Sequence, residues 1–178
     1  MTSFFTIFKS RIDEIGKSFY SILDADPSNH NDAKSQDIIK AYILLCHSEF
    51  EYYFEQVVKS VISESIIRAN KARIRRNYLN SLKEQNELAK KVIDSNNGIK
   101  FENVKKLLKL ACFNIDEIND TYITKLNEFG KKRGNLAHNG NTGISILFCF
   151  SQEKNNVDWL VCETQNNIDV FFEKKFKL

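Results

Sequence analysis

One proline and six glycines are all the backbone punctuation in 178 residues. So little of it disfavours a strand-and-turn architecture and leaves long helices as the expectation. Cysteine is equally uninformative as a framework. Cys46, Cys112, Cys149 and Cys162 stand far apart with no C-x-x-C pair, so neither a zinc site nor a disulfide scaffold is indicated and no metal or cofactor is expected. A long hydrophobic run is missing too. The apolar start, Met1 to Phe8, gives way at once to Lys9, Arg11, Asp13 and Glu14, which is too short for a signal peptide or a membrane span. No membrane partner is expected, and a reducing cytoplasm is the default location. Neither sign of charge dominates. A net charge of +3 with 28% charged residues does not by itself announce a nucleic-acid binder, so local clusters have to decide.

Aromatic and aliphatic volume is abundant. Fourteen Phe and six Tyr can fill a substantial core without a covalent staple, and the length suits one domain over 1–178, with a core of 1–140 and a divergent tail of 141–178. Phe4, Phe5, Phe8, Ile12, Ile15, Phe19, Ile22 and Leu23 recur every three or four residues and predict a first helix over 3–23. After the turn around Pro27, a wide apolar face from Ile38 to Ile66 predicts a long central helix over 33–69. A more polar third helix is expected over 72–94, ended by Ser95 to Gly98, and a short fourth over 101–113. Asn114 with Glu117 three residues on reads as the capped start of a fifth helix, with the stripe Ile115, Ile118, Tyr122, Leu126 and Phe129, and Gly130 is placed to stop or loosen it. Beyond Gly140, the β-prone runs 144–150 and 157–162 flank the polar stretch Gln152 to Asn156 and read as a short hairpin. The segment 167–177 fits a helix or a strand.

The stretch Phe129 to Gly140, Phe-Gly-Lys-Lys-Arg-Gly-Asn-Leu-Ala-His-Asn-Gly, is where the chain commits to something other than packing. A histidine with its ordinary pKa near 6.5 can take a proton from an RNA 2′-hydroxyl or return one to a leaving 5′-oxygen. A neighbouring arginine can hold the non-bridging phosphate oxygens and the charge that builds on them. Arg133 and His138 thus suit metal-independent RNA cleavage through a 2′,3′-cyclic phosphate. Asn135 is a further donor, and Lys131 and Lys132 can hold adjoining phosphates. His47, set among apolar residues of the central helix, reads first as a structural histidine, with a minor contribution from it and Glu49 to the site as the second reading. On an unbroken helix, residues five apart point roughly 140° from each other. Either Gly130 and Gly134 break the helix, or a two-fold dimer sets Arg133 and His138 against their symmetry mates.

The long helix carrying Ala-Tyr-Ile-Leu-Leu-Cys-His-Ser-Glu-Phe-Glu-Tyr-Tyr-Phe-Glu, followed late by Arg-Gly-Asn-Leu-Ala-His-Asn-Gly, resembles the HEPN superfamily over roughly residues 1–140. The likeness is nearest to prokaryotic defence-associated groups of RiboL-PSP and MAE type. That resemblance implies an all-α bundle of four to five helices, a homodimer whose two Arg-x4-His motifs form one composite cleft, and endoribonuclease activity in toxin–antitoxin or antiviral systems. By position it makes Arg133 and His138 the catalytic pair, RNA the substrate, and an antitoxin or other defence protein a partner. The chain departs from the family pattern at Gly134, where Asn, Asp or His is usual, and at Gly140, where nucleotidylated members carry Tyr. Two other readings stand beside it: a non-catalytic module binding RNA or protein through the same cleft, and a plain helical interaction protein.

Overall fold

The computed structural model describes residues 1–23, 32–72, 76–96, 98–139 and 147–176, with the side chains of 76 and 137–139 excepted. The sequence carries a basic run of Lys71, Arg73, Arg75 and Arg76, of which Arg73 and Arg75 lie outside that description. The described chain is helical: α1 (Ser3–Ile22), α2 (Ala33–Lys71), α3 (Arg76–Asp94), α4 (Phe101–Leu110), α5 (Asp120–Asn139), α6 (Phe150–Thr164) and α7 (Val170–Phe176). No strand occurs among the described residues.

The central helix is α2. Ile39, Tyr42, Ile43, Cys46, Phe50, Tyr53, Phe54, Val57, Val58 and Val61 are buried along it. Its three- and four-residue spacing lines one wide face, against which α1, α4, α5 and α6 pack. From α1 come Phe5, Phe8, Ile12 and Ile15. The rings of Phe8 and Tyr53 stack at 5.0 Å, and Phe50 meets Phe8 and Phe129 edge-on. Interlocking rings of this kind fix the helices' register as well as burying area. α3 buries only Ala89 and Ile93 fully, in keeping with its polar sequence.

A buried carboxylate closes one end of the bundle. Asp169 accepts hydrogen bonds from the Thr2 backbone N–H, the Thr2 hydroxyl and the Tyr53 hydroxyl, while the Thr2 hydroxyl also caps α1 by accepting from Phe5 N. Asp169 ends a π-helical turn, Gln165–Asp169, between α6 and α7. The wider turn shifts the register so that Ile168, Asp169 and Phe172 all face inward.

Several sequence expectations are corrected. The hairpin does not form: of its first run, 144–146 lie outside the described residues, while Phe150 opens α6 and the second run is helical throughout. The reason lies in helical phase. Phe150, Val157, Leu160, Val161 and Thr164 all fall on one buried face, so the polar stretch between the runs is the outer face of a helix and not a turn. The tail 167–176 is likewise helical, which takes the bundle beyond four to five helices. Further, Asn114 caps only a 3-10 turn, Ile115–Glu117, by accepting from Asp116 N. The start of α5 is capped by Asn119, whose side-chain oxygen accepts from Thr121 N and Tyr122 N.

Candidate functional site

α5 carries the Arg–His segment, and it does not break there. The helix runs through Gly130 and Gly134 to Asn139, contrary to the expectation that Gly130 would stop or loosen it and to the alternative in which the two glycines break it. Each glycine costs a helix roughly 1 kcal/mol relative to alanine. Burial of Tyr122, Leu126, Phe129 and Leu136 on either side outweighs that. Gly130 answers to packing: a Cβ there would lie 2.9 Å from the backbone nitrogen of Lys100. The start of α4 presses on α5 at this point, and Phe101 N donates to Asn127 Oδ1 at 2.8 Å. At Gly134 a Cβ would meet nothing within 4 Å.

Continuity of the helix decides where the candidate side chains go. Position 133 follows Phe129 by four and Leu126 by seven, so Arg133 shares the inward side of α5. It is half-buried there, near enough to α2 for its charge to act on His47. Position 138 lies roughly 140° further round the axis; the His138 side chain itself is outside the described part. Lys131 and Asn135 are exposed. Lys132 is engaged: its ammonium lies 2.7 and 2.8 Å from the two oxygens of buried Glu153 and 5.5 Å from the centroid of the Phe148 ring. One chain therefore brings Arg133 towards His47 and Lys132 to Glu153, but its helical register carries positions 133 and 138 apart.

His47 is a structural acceptor. Its Nε2 accepts from Ile99 N at 3.4 Å, within the loop that leads to α4. Glu51, one turn on, holds the same loop by accepting from Gly98 N at 2.6 Å. Gly98 has φ +106°, a left-handed conformation that glycine adopts without steric cost. Burial, and then the positive charge of Arg133, pull the His47 pKa down to about 4. The Glu51 carboxylate, at 3.9 Å from Nδ1, is beyond hydrogen-bond range and does not offset them. At neutral pH the ring is uncharged, and it is buried at 1% exposure. Glu49 turns the other way, towards α1, with a carboxylate oxygen 3.5 Å from Arg11 Nε.

Sequence reasoning missed Glu153 and Asn127. Glu153 follows Phe150 by three and precedes Val157 by four, in phase with an apolar stripe; that position was the available signal. Asn127 had none, since its role is to receive the first backbone N–H of another helix.

Arg133 and the segment after it give α5 a cationic, glycine-containing end with a histidine in it, which suits phosphate contact and proton transfer. Among the described residues no group of three or more His, Cys, Asp or Glu side chains is gathered as a metal site, and no helix is long and apolar enough to cross a membrane. Neither curated proteins nor solved structures give a match to the chain. A family model does, over residues 6–149, which spans α1 through α5 and both Arg133 and His138. The chain belongs to the RiboL-PSP-HEPN family, within the HEPN superfamily.

Proposed function

We propose that this HEPN domain is a metal-independent endoribonuclease, acting in the cytoplasm of a prokaryote within a defence or toxin–antitoxin system. The observation that carries the reading is the Arg133-x4-His138 pair near the end of α5, inside the region matched by the family model. In this reading Arg133 holds the scissile phosphate and stabilises its developing charge. His138 moves the proton between the 2′-hydroxyl and the 5′-oxygen, leaving a 2′,3′-cyclic phosphate. Asn135 and Lys131 contact the flanking backbone, while Lys132 stays paired with buried Glu153. The unbroken helix supports a homodimer, because divergent positions on one chain can converge on one phosphate when a second copy faces them.

Incubation of the purified protein with labelled RNA in EDTA tests the reading. The wild type should cut and leave cyclic-phosphate ends, and Arg133→Ala and His138→Ala should each lose about 100-fold or more. A folded His138→Ala protein that cuts as well as the wild type would remove the site assignment. A second reading, a non-catalytic module that binds RNA or a defence-system protein, draws on Arg133 being half-buried and Lys132 being matched by Glu153. It predicts RNA binding without cleavage, weakened by Arg133→Ala.

A further inference from the structure

A groove of about 640 Å3 runs between α5 and α6, beside the Arg–His segment. Three aromatic rings line it. Phe129 is buried at its inner side, whereas Phe148 and Trp159 are 59% and 38% exposed. Large rings left open to water cost free energy that packing elsewhere would recover, so two of them on one groove require a reason. Phe148 is also held in place. The backbone of its neighbour Leu147 is clamped in both directions by Gln36 of α2, with Leu147 N donating to Oε1 at 2.9 Å and Leu147 O accepting from Nε2 at 3.3 Å. The exposed ring therefore sits on a fixed stem.

The polar lining narrows the ligand. Asn155, Asn156 and Thr121 offer both donors and acceptors. The one ammonium deep in the groove, that of Lys132, is matched by Glu153. Lys125 at its edge is 3.0 Å from Glu128. Such a surface presents little net positive charge to a phosphate but suits a flat, uncharged ring with hydrogen-bonding edges. Its volume falls within the range of small-molecule sites, about 300–1,000 Å3.

We propose that the groove between α5 and α6 is a nucleobase subsite, in which Phe148 and Trp159 stack on the base and Asn155 and Asn156 read its edge. The inference rests on the ribonuclease reading only in taking that base from the RNA substrate. Lys132, on the groove, lies within one helical turn of Arg133 on α5, so a base seated there belongs to a nucleotide near the phosphate that Arg133 would hold, not on the same helix face. The groove would then select which nucleotide flanks the cut, through stacking and edge contacts and not through charge.

Trp159 is the chain's one tryptophan and reports on its own site. Titration of the whole chain with each of the four 5′-mononucleotides, with ribose 5-phosphate as the base-free probe, should quench its emission saturably for at least one nucleotide and not for the sugar phosphate. Phe148→Ala should weaken that nucleotide about tenfold or more. Calorimetry on Trp159→Ala should show a comparable loss, and raising the salt should change the affinity little. No quench by any nucleotide, an equal response to ribose 5-phosphate, or unchanged affinity in both variants would overturn the proposal. So would emission that shifts with protein concentration and not with nucleotide, which would assign the groove to a second copy of the chain. RNA cleavage in EDTA without nucleotide-dependent quenching overturns the subsite alone. Nucleotide binding without cleavage leaves the subsite standing and removes the ribonuclease reading.

Discussion

Asp169 and Glu153 are carboxylates on the same run of helix, both at 1% exposure or less, and they are satisfied in opposite ways. Asp169 takes its hydrogen bonds from uncharged donors of the N-terminal segment and α2, and these close around it. Glu153 takes both from a single ammonium on α5 that remains 28% exposed. The first arrangement is a lock: every partner is internal, and nothing is presented to solvent. The second leaves a polar atom of the pair on a groove wall, one residue from Arg133. A buried acid thus marks scaffold at one end of the bundle and the border of the candidate site at the other, and its partner tells the two apart.

The comparison breaks if the two acids respond alike. Asp169→Ala leaves the Thr2 N–H, its hydroxyl and the Tyr53 hydroxyl without their acceptor, and should lower unfolding stability by about 3–5 kcal/mol in chemical denaturation. Glu153→Gln leaves a lysine that water can still reach, and should cost ~1–2 kcal/mol. Equal losses would remove the distinction between lock and border.

His47 extends the contrast to pH. Its folded pKa of about 4 lies below the ordinary 6.5, so between those values the unfolded chain binds the extra proton. The stability this histidine allows is fully present above about pH 6.5 and falls as pH drops towards 4, by on the order of 3 kcal/mol. His47→Gln keeps an acceptor for Ile99 N and should flatten that slope in denaturation curves taken across the window. An unaltered slope would place the titration elsewhere.

The smallest effects concern the two glycines of α5. Gly130→Ala drives a methyl group into the Lys100 backbone and should destabilise by about 1–2 kcal/mol. Gly134→Ala meets open space and should stabilise by ~0.5–1 kcal/mol. Thermal melts of the pair should move in opposite directions; a shared direction would mean that the close approach at Gly130 does not govern.

Much of this was legible in the chain itself. The stripes of α1 and α2 are long, regular and buried against each other, so local periodicity and tertiary packing agree. α5 was legible too, although Gly130 was read as a stop; its cause is the approach of Lys100, thirty positions earlier, which no local pattern shows. α6 was misread because β-prone residues flank a polar run, while its phase is confirmed by Glu153, whose partner Lys132 belongs to another helix. The inward direction of Arg133 could have been derived, since it lies in phase with Leu126 and Phe129. That its charge acts on His47 could not, because the neighbouring helix is set by how α2 and α5 pack.

The most direct test of the central claim, a site completed across two copies, uses heterodimers of Arg133→Ala and His138→Ala chains carrying different tags. Each variant alone should be inactive on RNA. Purified heterodimers pair an intact Arg133 from one chain with an intact His138 from the other, and should recover cleavage well above either parent, since one such pair across the two copies is whole. Heterodimers as inert as their parents, beside an active wild type, would contradict the account, as would an active protein that is monomeric in solution.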